Sequence, residues 1–354
     1  MAAGNNAHLT KPAPLFGACG VVLPGKKPYN GRGLRKKQLG VERLVTSYVS
    51  VILNQVILML ILVVAGFISF KTHIITGEGN KHLSNLLILL VNPVVIFVSY
   101  QRDFSPELLA GLGQAFLLSL LGFGIAMAVA YLCLRRSGKY DVAVERFSVI
   151  YSNCGFMGIP LVMAMLGTEG VFYLTAVMTA FNLIVWTHGL FLFTGTGQFS
   201  IKGLLRALCS PAILAVPVGL LCFLLQWRVP QVLYDALEYV SNMNTPLAML
   251  IAGATVAQTN LLKAFARGRI YYVSFLKLLL VPALIVLALS LFPLPQIVLL
   301  TVAVAMASPT ATMGTIFAIR YDRNAVYASE LFAVTTILSA VSLPLVVFLA
   351  ERLL

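Results

Sequence analysis

The stretch NCGFMGIP, residues 153–160, lies midway along an apolar run long enough to cross a membrane. Its composition is unsuited to a helix interior. Pro160 has no amide proton, and its ring pushes away the carbonyl four residues earlier. Gly155 and Gly158 each cost about 1 kcal/mol relative to alanine in a helix. Asn153 brings a carboxamide that needs partners wherever it is buried. In hydrocarbon an unpaired backbone N–H or C=O costs several kcal/mol, so such a segment is tolerated only where protein or a watery cavity surrounds it. The stretch therefore predicts a helix broken near mid-membrane, with the freed groups available as ligands.

A second stretch of the same kind is MASPTATMGT, residues 306–315, with Pro309, Thr310, Thr312 and Gly314. Gly158 and Gly314 are 156 residues apart, and each follows a methionine. Two further prolines form a similar pair. VNPVVIF contains Asn92-Pro93, MNTPLAML contains Thr245-Pro246, and Pro93 and Pro246 are 153 residues apart. A single proline or glycine in a membrane helix is commonly a kink or a close-packing point. Two pairs at similar offsets point instead to an internal repeat.

The whole chain has the composition of a polytopic helical membrane protein. Hydrophobic residues make up 59% of the 354, charged residues 10%, and the mean hydropathy is +0.92. A soluble domain carries about 25% charge. The short alternating segments of an outer-membrane barrel are absent from the sequence. Ten candidate spans run roughly 49–70, 82–100, 106–134, 146–167, 170–194, 207–226, 236–257, 270–292, 296–318 and 325–350. They divide five and five: a first half at 49–194, a short linker at 195–206 and a second half at 207–354. An odd number of spans per half inserts the halves with opposite orientations, the inverted-repeat plan of many secondary transporters. The expected fold is thus all-α, with ten transmembrane helices in two inverted five-helix repeats and broken helices 4 and 9.

The net charge of +13 does not imply nucleic acid. Eight of the 25 Lys and Arg lie in the first 48 residues, and nearly all the rest lie in short loops. The loops after spans 1, 3, 5, 7 and 9 hold thirteen basic residues, among them Arg136, Lys139, Lys202 and Arg206; the other side holds Arg102, Arg228 and Arg352. That asymmetry places the odd loops in the cytoplasm and both termini outside. Residues 1–48 form a basic extension without the apolar core of a signal peptide. It favours the cytoplasm, and the expectation is that native translation begins near Val41, Val45 or Val49. N-terminal sequencing of the native protein then starts at residues 41–49; an intact Met1 or Ala2 terminus refutes this. The five cysteines, Cys19, Cys133, Cys154, Cys209 and Cys222, show no CxxC spacing and read as small hydrophobes, with no disulfide framework and no metal site.

The candidate substrate site is built from the breaks. Half-helix N-termini offer N–H donors and partial positive charge to an anion. The residues expected there are Asn153, Cys154, Gly155 and Gly158 in the first break, and Pro309, Thr310 and Thr312 in the second. Asn92 and Thr245, just ahead of Pro93 and Pro246, cap the half-helices that follow or hydrogen-bond between helices. Pro93, Pro160, Pro246, Pro309 and Gly314 mark the hinges. Asn54, Asn182 and Lys277 are secondary candidates. Lys277 lies about 10 Å into its span at 1.5 Å per residue. It either snorkels to the cytoplasmic surface or draws an anionic substrate into the mouth. His188 reads as a surface-facing neutral imidazole, and Glu330 as a carboxylate suited to a helix N-terminus. No Asp or Glu falls in the middle of a span, which disfavours a carboxylate-based proton antiporter.

The chain resembles the auxin efflux carrier family, which includes bacterial AEC transporters and plant PIN proteins. The resemblance rests on LVNPVVIF (90–97), YSNCGFMGIPL (151–161), FNLIVWTHG (181–189), NTPLAMLIAGATVA (244–257), SPTATMGTIFA (308–318) and ASELFAVTTILSAVSLP (328–344). It implies ten helices in two inverted repeats, helices 4 and 9 crossing near Pro160 and Pro309, and alternating access by an elevator-like movement. It also implies external termini and a homodimer. The large central loop of plant members is missing, as in bacterial members. Many relatives have Asn in the second break, where this chain has Thr310 and Thr312.

The expected function is secondary transport of small organic anions, such as malate, malonate or auxin-like acids, across the cytoplasmic membrane. Coupling to membrane potential, Na⁺ or H⁺ is left open, and no cofactor is expected. The alternative is a sodium-coupled symporter of larger anions, similar to the bile-acid symporters. An intramembrane enzyme would need a paired nucleophile and base or a metal cluster, and the sequence holds no HExxH, GxSxG or paired core aspartates.

Overall fold

A computed structural model describes residues 48–135, 140–195 and 211–354, which fall within one compact unit. The basic extension at 1–47, the linker residues 196–206, Arg136, Lys139, Cys19 and Cys209 lie outside the described residues. Among those described, every extended element is a helix.

Polar residues at the loop ends start the helices. Helix α1 spans Tyr48–Lys71. Thr76 caps α2, Gly77–Leu86. A π-turn, Leu87–Val91, then carries the chain into α3, Asn92–Ser99. Pro93 therefore does not break this segment: the π-turn just ahead of it shifts the hydrogen-bond register and absorbs its missing N–H. Ser105 accepts from Leu108 N–H and sets the start of α4, Pro106–Cys133. Asp141 caps α5, Val142–Ile150, so this helix begins ahead of residue 146 and takes Glu145 into the interior.

After α5 the chain is non-helical at 151–153, makes a π-turn at Cys154–Gly158 and continues as α6, Ile159–Ile184. Gly167 interrupts α6 with φ +64°, a conformation that favours glycine, and splits it into two helical runs. A π-turn at Val185–Gly189 leads to α7, Leu190–Thr194. Then come α8, Pro211–Leu224; α9, Gln231–Asn242; and α10, Asn244–Ala257, with a bend at Met243 between the last two. A short helix α11, Leu261–Phe265, precedes α12, Gly268–Phe275, which passes through a π-turn, Leu276–Leu280, into α13, Val281–Leu289. The last helices are α14, Gln296–Ala307; α15, Met313–Arg320; and α16, Ala325–Leu353, capped by Asn324.

Among the described residues, six helical stretches are long and apolar enough to cross a membrane: Tyr48–Lys71, Gly77–Ser99, Pro106–Cys133, Cys154–Thr194, Gly268–Leu289 and Ala325–Leu353. Pro211–Leu224 and Gln296–Ala307 are shorter apolar helices. Many large apolar side chains face outward, for example Ile61, Leu117, Leu132, Leu225 and Val341. In water that surface would be a liability; against lipid it is the expected solvent-facing side. Helix α1 packs most closely on α10, with Gly66 against the backbone of Leu250 and Gly253 against the backbone of Val63.

Candidate functional site

The two interrupted segments meet. Asn153 N–H donates to Pro309 C=O at 2.7 Å, and Ala311 N–H donates to Tyr151 C=O at 2.9 Å. These two bonds make a single antiparallel bridge between Ser152 and Thr310. They answer the need for backbone partners that a broken membrane helix creates. Side chains finish the joint. Ser152 Oγ donates to Met306 C=O at 2.7 Å, and Thr310 Oγ1 donates to Ser148 C=O at 3.0 Å, so each break caps the other helix. Thr335 of α16 accepts from Thr310 N–H at 3.3 Å. Around the joint, Phe147 lies 4.5 Å from Tyr151 and 5.8 Å from Phe317, centroid to centroid. A Cβ on Gly314 would stand 2.7 Å from the Phe147 ring, so the second half-helix docks only because residue 314 has no side chain.

The crossing lies earlier in the first segment than expected. Pro160 is the second residue of α6 and begins the following half-helix; the non-helical residues are 151–153. The π-turn at Cys154–Gly158 shifts the hydrogen-bond register just where proline has no N–H, so the chain stays helical at Pro160 and opens before Cys154. In the second segment Pro309 is at the crossing itself. Asn153 C=O accepts from both Met157 and Gly158 N–H, which closes the π-turn.

Amides gather beside this joint. Asn244 Nδ2 donates to Asn92 Oδ1 at 2.7 Å, with both side chains buried. A Cβ on Gly155 would lie 3.8 Å from Asn92 Nδ2, which places the turn beside this pair. Asn244 Oδ1 and Asn153 Nδ2 are buried with no hydrogen-bond partner. So is Thr336 Oγ1, which lines a small cavity with Val56, Met59 and Met157 between α1, the π-turn and α16. Native structures leave few buried polar atoms unpaired, and those that remain are candidates for ligand contact.

Lys277 corrects a sequence expectation. It does not snorkel. Its side chain is fully buried, and Nζ donates to Ser152 Oγ at 2.5 Å, directly at the crossing. The π-turn Leu276–Leu280, which contains it, is the kind of helix irregularity that marks functional positions. The buried carboxylates among the described residues are Glu145 and Glu330, and each faces an arginine. Arg269 holds Glu145 with two bonds of 2.8 Å, and Tyr327 OH donates to it at 2.9 Å. Arg267 holds Glu330 at 2.6 Å. His188 is no free surface group: it bridges Tyr151 OH at 2.9 Å and Tyr131 OH at 3.0 Å.

Of the other candidates, Cys154, Gly158 and Thr310 are buried at the joint, and Thr312 is half-buried just before α15. Thr245 is displaced from the amide cluster: its neighbour Asn244 points inward and meets Asn92, while Thr245 is half-buried and Pro246 exposed. Asn182 donates to Met178 C=O of its own helix at 2.8 Å, and Asn54 is exposed on α1, so neither belongs to the joint. Sequence reasoning missed Ser152, Asn244, Thr335 and Glu145. Asn244 was within reach, since it lies 152 residues after Asn92, close to the 153 that separate Pro93 and Pro246. The described residues hold no group of three or more His, Cys, Asp or Glu placed for a metal ion.

An all-helical, lipid-faced molecule whose interior carries two interrupted helices with unpaired amides has the build of a membrane transporter. Comparison with known proteins gives the family. The family described as "Membrane transport protein" matches residues 51–347. The chain belongs to this family, the auxin efflux carrier group of the motifs quoted above. An "Uncharacterized transporter" of Methanothermobacter thermautotrophicus is 28% identical over 298 residues, covering 82% of this chain and 95% of the relative. A "Putative malonate transporter" of Rhizobium meliloti is 26% identical over 292 residues, covering 78% and 89%.

Proposed function

We propose that the protein is a secondary transporter of small organic anions, carboxylates above all, which it holds at the crossing of its two broken helices. The observation that carries the reading is the joint between Ser152 and Thr310, with the unpaired Asn153 amide beside it and one buried ammonium behind it. N–H groups that open a half-helix have no acceptor within the helix. Together with the Asn153 carboxamide they suit a carboxylate. The positive charge of Lys277 raises the potential there, and the buried carboxylates do not cancel it because Arg269 and Arg267 already do. The relative named as a malonate transporter supports a dicarboxylate as the first substrate to try.

The same reading takes the ten segments as two inverted five-helix repeats. In it the 142–166 and 296–320 segments are helices 4 and 9, and one bundle moves against the other to give alternating access. Odd loops are cytoplasmic, both termini are outside, and the chain sits in the cell membrane as a homodimer.

Transport by reconstituted protein tests it. Proteoliposomes are offered labelled malonate, malate, 2-oxoglutarate and indole-3-acetate. Saturable uptake of at least one is expected. Asn153→Ala lowers the rate by about 10- to 100-fold, the value of one hydrogen bond to a charged group at about 1.5–3 kcal/mol. Since Asn153 Nδ2 has no protein partner, the variant keeps the wild-type melting temperature. Thr312→Val lowers uptake in the same direction. Folded protein that takes up none of the four acids, or Asn153→Ala with wild-type uptake, overturns the assignment.

A further inference from the structure

We propose that Lys277 is a built-in coupling cation: its ammonium occupies the place between the broken helices where a carrier of this build would otherwise bind Na⁺, so transport here needs no Na⁺. In discontinuous-helix transporters, unwound carbonyls and half-helix C-terminal ends are the groups that hold a co-transported cation. Lys277 reaches that kind of place. Its Nζ donates to Ser152 Oγ, and the same hydroxyl donates to Met306 C=O in the last turn of α14. A helix C-terminus carries partial negative charge and favours a cation. Ser152 is also the residue paired with Thr310 across the joint. One hydroxyl thus ties the ammonium to both breaks.

The surroundings fit a cation better than a substrate contact. Lys277 is fully buried and lines neither the cavity by Met157 and Thr336 nor the outer groove by Tyr271 and Ser342. The amides available to a substrate come from other elements, α3, α10 and the first break. No ion pair holds Lys277 among the described residues, whereas the buried Glu145 and Glu330 each have an arginine. An unpaired charge buried in this way is costly. The Ser152 hydroxyl, itself bonded to Met306 C=O, turns its oxygen to the Lys277 amine as it would to a bound metal ion, and the charge of a bound anion offsets the rest of the cost. A tethered cation makes every loaded carrier carry its own positive charge, which a free Na⁺ supplies only when bound.

The test compares the full-length wild type with Lys277→Gln and Lys277→Met. Each is purified in NaCl and in choline chloride at equal ionic strength. Folded yield, melting temperature and labelled malonate uptake are measured in both salts. Wild type is expected to show the same yield, melting temperature and uptake, within twofold for the rate, in either salt. The variants, with the Ser152 hydroxyl oxygen freed from the lysine, are expected to gain a saturable Na⁺ response. Their yield or melting temperature rises with Na⁺ and not with choline, and uptake becomes at least tenfold Na⁺-dependent. A saturable Na⁺ stabilisation or tenfold Na⁺ stimulation of wild type overturns the proposal. So does the lack of any Na⁺ effect on yield or melting temperature in both variants. The uptake arm rests on the anion-carrier reading. Yield and melting temperature need no substrate, so a failure of malonate transport alone counts against that reading and leaves the Na⁺ result to decide this one.

Discussion

Gly253→Ala lowers the yield of folded protein by tenfold or more, and Gly253→Val abolishes it. Helices α1 and α10 meet backbone to backbone. A Cβ on Gly253 would overlap the carbonyl oxygen of Val63 and stand 2.8 Å from Phe67 N; a Cβ on Gly66 would overlap the carbonyl of Leu250 and stand 2.8 Å from its Cα. Overpacking typically costs about 1–3 kcal/mol when neighbouring side chains can yield. Here the obstacle is main chain in two helices, so the helices themselves must part. In a bilayer, helices gain nothing from leaving lipid and are held by close packing, which makes separation expensive. Gly113→Ala and Gly124→Ala serve as controls, since nothing lies within 4 Å of a Cβ at either position. They keep the wild-type elution profile and melting temperature. A Gly253→Ala protein that elutes and melts like wild type would show that the two helices are not locked as described.

That contact was invisible in the sequence, and the reason is physical. Gly66 and Gly253 stand in ordinary apolar runs, AGF and AGA, and nothing local marks them as facing one another. The breaks were visible because they violate a local rule: Asn, Gly and Pro in the middle of an apolar run need an explanation wherever they occur. The period-free apolar stretches gave most helix positions for the same reason, since membrane spans are set by length and hydropathy. What one sequence could not give was register in space. Pro160 looked like the centre of the break, yet the chain opens seven to nine residues earlier, at 151–153. Which of Asn244 and Thr245 turns inward depends on a bend at Met243 that no pattern announces. Lys277 looked free to reach the surface; whether a long side chain snorkels or turns in depends on the π-turn around it. Glu145 looked like part of a loop because its two arginine bonds come from residue 269, 124 positions away.

Glu145→Ala destabilises the protein by about 3–5 kcal/mol, the cost of removing one partner of a buried ion pair and leaving the other uncompensated. Glu145 is fully buried in α5, and Arg269 of α12 meets both of its oxygens in the two-pronged geometry that makes such pairs strong. Tyr327 of α16 donates to the same carboxylate, so three helices lose their common point at once. Glu145→Gln keeps the shape but turns an amide N–H toward the guanidinium; its loss is expected to be intermediate. Glu145→Leu combined with Arg269→Leu recovers much of the loss, because an apolar pair of matched size replaces a buried salt bridge at little net cost. Thermal unfolding of the four proteins separates these cases. A double variant no more stable than Glu145→Ala would mean that Tyr327 or the fit of the side chains, and not the unpaired charge, sets the penalty. The consequence reaches the crossing, since α5 also carries Ser148, whose carbonyl accepts from Thr310. Loosening α5 should therefore slow transport along with the fall in stability. The pair is neutral as a unit, and so is the pair formed by Arg267 and Glu330. With both carboxylates committed in this way, the buried amine of Lys277 has the Ser152 hydroxyl as its partner at the joint.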